Sequence, residues 1–337
     1  MKTTRRFTAK KMAATLFLLL LVAGTVWIVR YRGTATLRTT QGSIFGTTYH
    51  VKYEAVQNLD TLIQWELQRV DASLSVFNSQ STLSRINAGQ TDRTDAMLYE
   101  VLQKAAVVSE LTRGAFDVTV MPAVNAWGFG FKHGGLPTDE QVDSLRQLVG
   151  YRNITLGTDS VLRKADERIS IDCGAIAKGY GVDRVARLLR EKGVRNYMVE
   201  IGGEVVTKGR NPQTRQPWQI GVSRPDTTGG ETLQTILSVE NTAMATSGNY
   251  RNYYTVGGRK YAHTIDPRTA RPVQHSLLSA TVMASDCATA DAFATAFMVL
   301  GLDSARTIVE SQKGLRAFFI YADGQGRLRT ESVKLKP

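Results

Sequence analysis

Cysteine and histidine are scarce: this chain of 337 residues has two Cys, Cys173 and Cys287, and four His. The two cysteines are too far apart in sequence for a disulfide to be inferred from spacing, and they read as buried free thiols. Without a CxxC or a His-rich stretch, little is left from which to build a zinc site. Internal repeats and low-complexity tracts are also lacking, which excludes a repeat array and leaves one α+β body.

Acid is missing from one region only. Residues 1–38 contain Lys2, Arg5, Arg6, Lys10, Lys11, Arg30, Arg32 and Arg38 and no Asp or Glu. The formal net charge of +12 invites a nucleic-acid reading, but without those eight residues the rest holds 34 basic against 30 acidic side chains. The excess belongs to the N-terminus and not to a DNA-binding face, so no nucleic-acid partner is expected.

Within that N-terminus, Met12 to Val29 is an uncharged, mostly apolar run of 18 residues. This meets the lower edge of the about 17–25 needed for a bilayer-spanning helix. The heavier positive flank precedes it, which predicts a cytoplasmic N-terminus and a body on the outer side of a bacterial inner membrane. Leu21-Val22-Ala23-Gly24 has the start of a lipobox, but Thr25 stands where a lipidated Cys is needed. The small Val22 and Gly24 leave open cleavage after Gly24, whereas Trp27-Ile28-Val29 prolongs the apolar run and favours an uncleaved anchor. The expected organisation is a membrane segment over 1–33, a Thr/Gly-rich tether over 34–42 and one domain over 43–337.

In the body, β-formers from Ile44 to Val56 predict a first strand, and the apolar stripe Leu59, Leu62, Ile63, Leu67, Val70 and Leu74 predicts a helix. Residues 77–89 read as a polar turn. A second helix is expected from Asp95 to Thr112, stopped at Arg113-Gly114. The crowd Val124-Asn125-Ala126-Trp127-Gly128-Phe129-Gly130 reads either as a packed loop or as aromatic faces for a flat ligand. An exposed Gly-rich turn at 132–135 then leads to a short helix from Pro137 to Leu148. Gly202-Gly203 joins two short strands, either as a tight turn or where a ligand nears the backbone.

Two features point to chemistry. Ile169 to Asp183 runs from a β-like segment through Asp172, three glycines and Lys178 into an amphipathic helix. It reads either as an ordinary strand–turn–helix joint or as a seat for an anion at a helix N-terminus. The second is Asp291 on a helix from Cys287 to Leu300, among small apolar residues on a face expected to be buried. A buried carboxylate is costly unless it is paired or bound to a cation. Thr295, one turn on, offers a second oxygen for a hard cation.

Five blocks in order carry a resemblance: Gly114-Ala115-Phe116-Asp117-Val118-Thr119; Asp172 with Ala175-Ile176-Ala177-Lys178-Gly179-Tyr180; Gly202-Gly203-Glu204; Thr246 to Tyr254 with His263-Thr264-Ile265-Asp266-Pro267; and Ala290 to Thr295. Together they resemble the ApbE family, FAD:protein FMN transferases, from about Gly42 to the last strands. The resemblance implies a single α+β domain of the T-fold type, with mixed or antiparallel sheets and packed helices. It implies FAD as substrate, Mg²⁺ as cofactor, and transfer of FMN to a Thr or Ser hydroxyl of an acceptor protein, with AMP released. The implied metal positions are Asp291, Thr295 and the carbonyl of Ala175. The implied FAD contacts are Phe45, Phe77, Ala115, Phe116, Asp117, Asp172, Lys178 and Ile265, with Phe77 and Phe116 flanking flat rings. His263 is the candidate for proton transfer beside Asp291. Acceptors of the sodium-pumping NADH:quinone reductase (Nqr) or Rnf type follow from the same resemblance. An FAD pyrophosphatase and a non-catalytic flavin-binding protein are the alternatives. Three departures stand out: Cys173 and Phe45 replace a common Leu and Met, and Thr25 replaces the lipobox Cys.

Overall fold

A computed structural model describes residues 4–31, 33–129, 136–225, 232–249, 253–256 and 259–335; at 4–9, 27–31, 253–256 and 259–262 the backbone alone is described. Strand β1 (Thr36–Ile44) and strand β2 (Thr47–Ala55) pair antiparallel from Ile44↔Thr47 to Thr36↔Ala55. The two residues between them, Phe45 (φ 53°) and Gly46 (φ 73°), are both left-handed, as a two-residue hairpin of the type I′ kind requires. Residues 34–42, expected as a tether, are therefore mostly strand: the Thr-rich run makes an edge strand because the tight turn folds it back onto β2.

β2 alternates, with Tyr49, Val51 and Tyr53 buried. Among the described residues, six more strands extend its sheet: β3 (Tyr197–Ile201), β4 (Glu204–Lys208), β5 (Ala243–Gly248), β6 (Leu277–Ala284), β7 (Arg316–Ala322) and β8 (Leu328–Val333). They lie side by side in chain order and every neighbouring pair is antiparallel. Helices and short two-stranded ribbons fill the excursions between them, giving one α+β domain.

The helices are α1 (Thr4–Tyr31), α2 (Asp60–Leu74), α3 (Thr82–Asn87), α4 (Ala96–Leu111), α5 (Met121–Ala126), α6 (Asp139–Arg146), α7 (Gly174–Glu191), α8 (Cys287–Leu300) and α9 (Leu302–Ser311). α3 lies inside the stretch expected to be turns, where the Ser81 side chain accepts from the Ser84 amide at 2.9 Å and so caps a helix that polar composition hid. The turn expected at 132–135 lies outside the described residues.

α7 and α8 pack against each other and on the sheet, α7 over β3 and β4 and α8 over β5 and β6. One core joins α4 and α8 to β6 and β7 through Phe293, Phe297 and Phe319; another joins α2 and α7 to β2 and β3 through Ile63, Leu67, Val185 and Val199. Each such fully buried side chain contributes roughly 1.5–3 kcal/mol. Cys173 and Cys287 are free and buried, and burial pushes both thiols up.

Among the described residues no helix is long and apolar enough to cross a membrane. The expected span within α1 runs from Met12 into residues 27–29, whose side chains lie outside the described set. The side chains of Leu16 to Val22 are all more than half exposed.

Candidate active site

The stretch ahead of α7 is extended because it is clamped. Asn87 at the end of α3 donates to the Ile171 carbonyl (2.7 Å) and accepts from the Ile171 amide (2.8 Å). The Asp172 amide then donates to the Val118 carbonyl at 2.7 Å, tying the 114–119 block to the start of α7. The Asp172 side chain accepts from the Gly174 amide at 2.8 Å, one of the unpaired donors at that helix start. Burial raises the pKa of Asp172 against that bond.

Behind this turn lies a cavity of about 330 Å³. Phe45, Phe77, Met121, Val124, Asn125 and Phe129 supply much of its wall, with Asp172 and Lys178 as charged groups. Phe77 is 82% exposed and stands at the rim. Its place follows from α2, whose last turn puts Val70 and Leu74 on the same wall. Phe45 arrives from the β1–β2 turn and lies against α7, where a Cβ on Gly181 would come within 2.7 Å of its ring.

Lys178 also faces away from this cavity, toward two carboxylates. Its Nζ is 3.0 Å from Glu204 Oε1 and 3.6 Å from Asp291 Oδ1. Both acids are 1% exposed. Burial disfavours the Lys178 ammonium, but Asp291 and Glu204 outweigh it and hold its pKa above the ordinary value. Burial pushes the Glu204 carboxyl up, against the pull of Lys178. Glu204 Oε2 is buried without a hydrogen-bond partner among the described residues.

Asp291 reaches α7 through a close helix crossing. Its Oδ2 accepts from the Gly179 amide at 3.1 Å. In a helix that amide points at the carbonyl four residues back, which is Ala175. The Asp291 carboxylate is thereby held against the turn of α7 that begins at Ala175, and Thr295 lies one turn further along α8. The Thr295 hydroxyl lies 3.3 Å from that of Ser247 on β5. These are hard oxygen donors around a buried carboxylate, suited to Mg²⁺ or a similar ion. Among the described residues no three His, Cys, Asp or Glu side chains cluster as a metal site, so a cation here would need hydroxyl and carbonyl oxygens beside Asp291.

Other expected residues stand elsewhere. Ala115 and Phe116 are 1% and 2% exposed, and Phe116 belongs to the main core rather than to the cavity wall. Asp117 is buried, with one oxygen held by the Thr119 amide (2.8 Å) and hydroxyl (2.6 Å) and the other by the Tyr151 amide (2.6 Å). Burial raises its pKa, and those three donors oppose the rise. Ile265 packs in a separate small cluster with Trp127 and Ala270. His263 meets the cavity indirectly: its ring lies edge-on to Phe129, centroids 6.4 Å apart. Tyr250, Arg251 and Asn252 of the fourth block lie outside the described residues.

Sequence reasoning gave Glu204 and Ser247 no role. The signal for Glu204 was available, since an acid directly after Gly202-Gly203 precedes the apolar pair Val205-Val206 in its strand. Phe129 was noted only by composition, and Met121 was passed over.

The ApbE family profile matches residues 45–319. This chain belongs to the ApbE family. It is 39% identical over 311 residues to the FAD:protein FMN transferase of Haemophilus influenzae, covering 88% of this chain and 89% of that one. Against the FAD:protein FMN transferase of Vibrio cholerae it is 37% identical, covering 88% and 91%. Among solved structures, the flavin transferase ApbE of Vibrio cholerae aligns with a TM-score of 0.79 at 34% identity, over 89% of this chain and 98% of that one. The apo flavinyl transferase ApbE of Pseudomonas stutzeri aligns with the same TM-score and identity, over 89% and 95%. The chain is thus an enzyme, a transferase, and the family's antiparallel α+β domain is the one described above.

Proposed function

We propose that this chain transfers the FMN moiety of FAD to a Thr or Ser hydroxyl of an acceptor protein, leaving FMN joined through a phosphoester. The observation that carries this reading is the position of Lys178, which lines the aromatic cavity and also touches the buried Asp291–Glu204 pair. A flat ring system and a charged pyrophosphate need such adjacent environments. The acceptor hydroxyl oxygen bonds to the FMN phosphorus, the bridging P–O bond breaks, and AMP departs with the bonding electron pair. His263, against the cavity wall through Phe129, takes the hydroxyl proton. Mg²⁺ held by Asp291, Thr295 and the Ala175 carbonyl would supply charge neutralisation at the phosphates. Lys178 and the amides at the start of α7 hold the phosphate end, and Phe45 and Phe77 pack on the rings.

The exposed apolar side chains of Leu16 to Val22 and the basic residues ahead of them support an inner-membrane anchor with the body outside the cytoplasm and Nqr- or Rnf-type subunits as acceptors. To test the activity, the full chain is mixed with FAD, Mg²⁺ and an acceptor domain, and the denatured acceptor is inspected for flavin fluorescence. Labelling with stoichiometric AMP is expected, and Asp291→Ala should abolish it. AMP and free FMN without labelling would mean a pyrophosphatase instead, and bound FAD without AMP a carrier.

A further inference from the structure

Glu204 is the one member of the buried charge group that the function above leaves unused. Its position is built with care: the left-handed Gly202 (φ 59°) and Gly203 (φ 100°) turn β3 into β4 so that Glu204 is the first residue of β4, opposite Ile201. The side chain is 1% exposed, and one of its oxygens has no hydrogen-bond partner among the described residues. The Lys178 ammonium, 3.0 Å from the other oxygen, is the main group offsetting the burial of this carboxylate.

The geometry around Asp291 shows why such a residue is needed. The Gly179 amide holds Oδ2 at 3.1 Å, so Oδ1 is the oxygen left to face a cation. Lys178 Nζ stands 3.6 Å from that same Oδ1. A divalent ion at Asp291 therefore competes with an ammonium for one oxygen and is repelled by it. The ammonium sits closer to Glu204 than to Asp291, drawn toward the β4 side.

We infer that Glu204 is a positioning residue that draws Lys178 off Asp291 and so keeps the Asp291 carboxylate available to a divalent cation. This rests on the metal position proposed above. Glu204 acts through Lys178 and touches neither cation nor flavin. Replacing it by an uncharged isostere leaves Asp291 as the sole carboxylate beside the ammonium, and Lys178 closes onto it.

The test is Mn²⁺ binding to the full chain without FAD, followed by the loss of the free-ion electron paramagnetic resonance signal. Glu204→Gln is expected to bind Mn²⁺ about 10–100-fold more weakly, the range typical of lost outer-shell support. In the Lys178→Met background the competitor is gone, and adding Glu204→Gln changes the affinity by less than about threefold, a non-additivity that direct attraction by Glu204 cannot produce. Unchanged affinity in Glu204→Gln overturns the inference. So does an equal loss on adding Glu204→Gln to Lys178→Met, because Glu204 would then attract the ion directly. Should Glu204→Gln fail to fold, as thermal melts would show, Lys178→Met with and without Glu204→Gln carries the test, a double variant well over about threefold weaker than Lys178→Met being the refuting result. Absence of Mn²⁺ binding in the parent protein would instead remove the metal position on which this rests.

Discussion

At Gly179 α7 packs directly on the backbone of α8, and one methyl group there tests the whole site. A Cβ at this position would lie 2.4 Å from the Cys287 carbonyl oxygen, 2.6 Å from its carbon and 2.9 Å from the Ala288 Cα. These are backbone atoms, so no side chain can swing away. Ordinary contact begins near 3.4 Å, so the helices must part by about 1 Å. Overpacking of this kind costs about 1–3 kcal/mol, and a backbone obstacle puts Gly179→Ala at the upper end. Ala in place of a helical Gly returns about 0.5–1 kcal/mol. The net loss is about 2 kcal/mol, or a fall in Tm of about 5 °C in a domain of this size. The same parting stretches the Gly179–Asp291 bond and carries Asp291 and Thr295 away from Ala175. A misplacement of about 1 Å is enough for a hundredfold loss of flavin transfer. Melting followed by circular dichroism and acceptor labelling followed by flavin fluorescence read the two effects. Gly314→Ala, whose Cβ would meet nothing within 4 Å, is the control. If Gly179→Ala melts within 1 °C of the parent, by the same size scaling, and labels at the parent rate, the crossing does not hold the site as argued.

Asp95 caps α4 by accepting from the Met97 and Leu98 amides (both 2.9 Å), and it also accepts from the Ser73 and Thr82 hydroxyls. Losing the cap and leaving two hydroxyls without an acceptor makes Asp95→Ala about 2–4 kcal/mol less stable, seen as a lower urea midpoint at constant m. The His275 ring is bonded at both nitrogens, its Nδ1 accepting from the Leu277 amide (3.2 Å) and its Nε2 donating to the Met298 carbonyl (2.8 Å), which is the neutral tautomer with the proton on Nε2. Burial lowers its pKa from 6.5, so the stability it contributes is present above pH 6.5 and lost as pH falls below it. The stability difference between the parent and His275→Gln should therefore narrow from pH 7.5 to 5, and a constant difference would refute the tautomer. Phe45→Ala removes an aromatic wall of the cavity, and FAD should bind about tenfold more weakly by flavin fluorescence quenching, a loss of about 1.5 kcal/mol.

Much of this protein was legible from local pattern. The α2 stripe, the helix beginning near Asp95 and the small-residue helix carrying Asp291 and Thr295 depend on spacing and residue type within a few turns. The argument that a buried Asp291 needs a partner followed from the same logic. The expected tether was misread because strand formation at 36–44 depends on a return through Phe45-Gly46 and not on its own composition. Only the tertiary structure decided which charges meet. Lys178, Glu204 and Asp291 come from a helix, a strand and a second helix more than a hundred residues away, and no periodicity links them. The same holds for Phe116 and Phe129: both are aromatic residues near glycines, yet packing buries one in the core and leaves the other on the cavity wall. Local sequence sets which face of an element is apolar, while the crossing of α7 over α8, permitted by the missing Cβ of Gly179, sets what that face encloses.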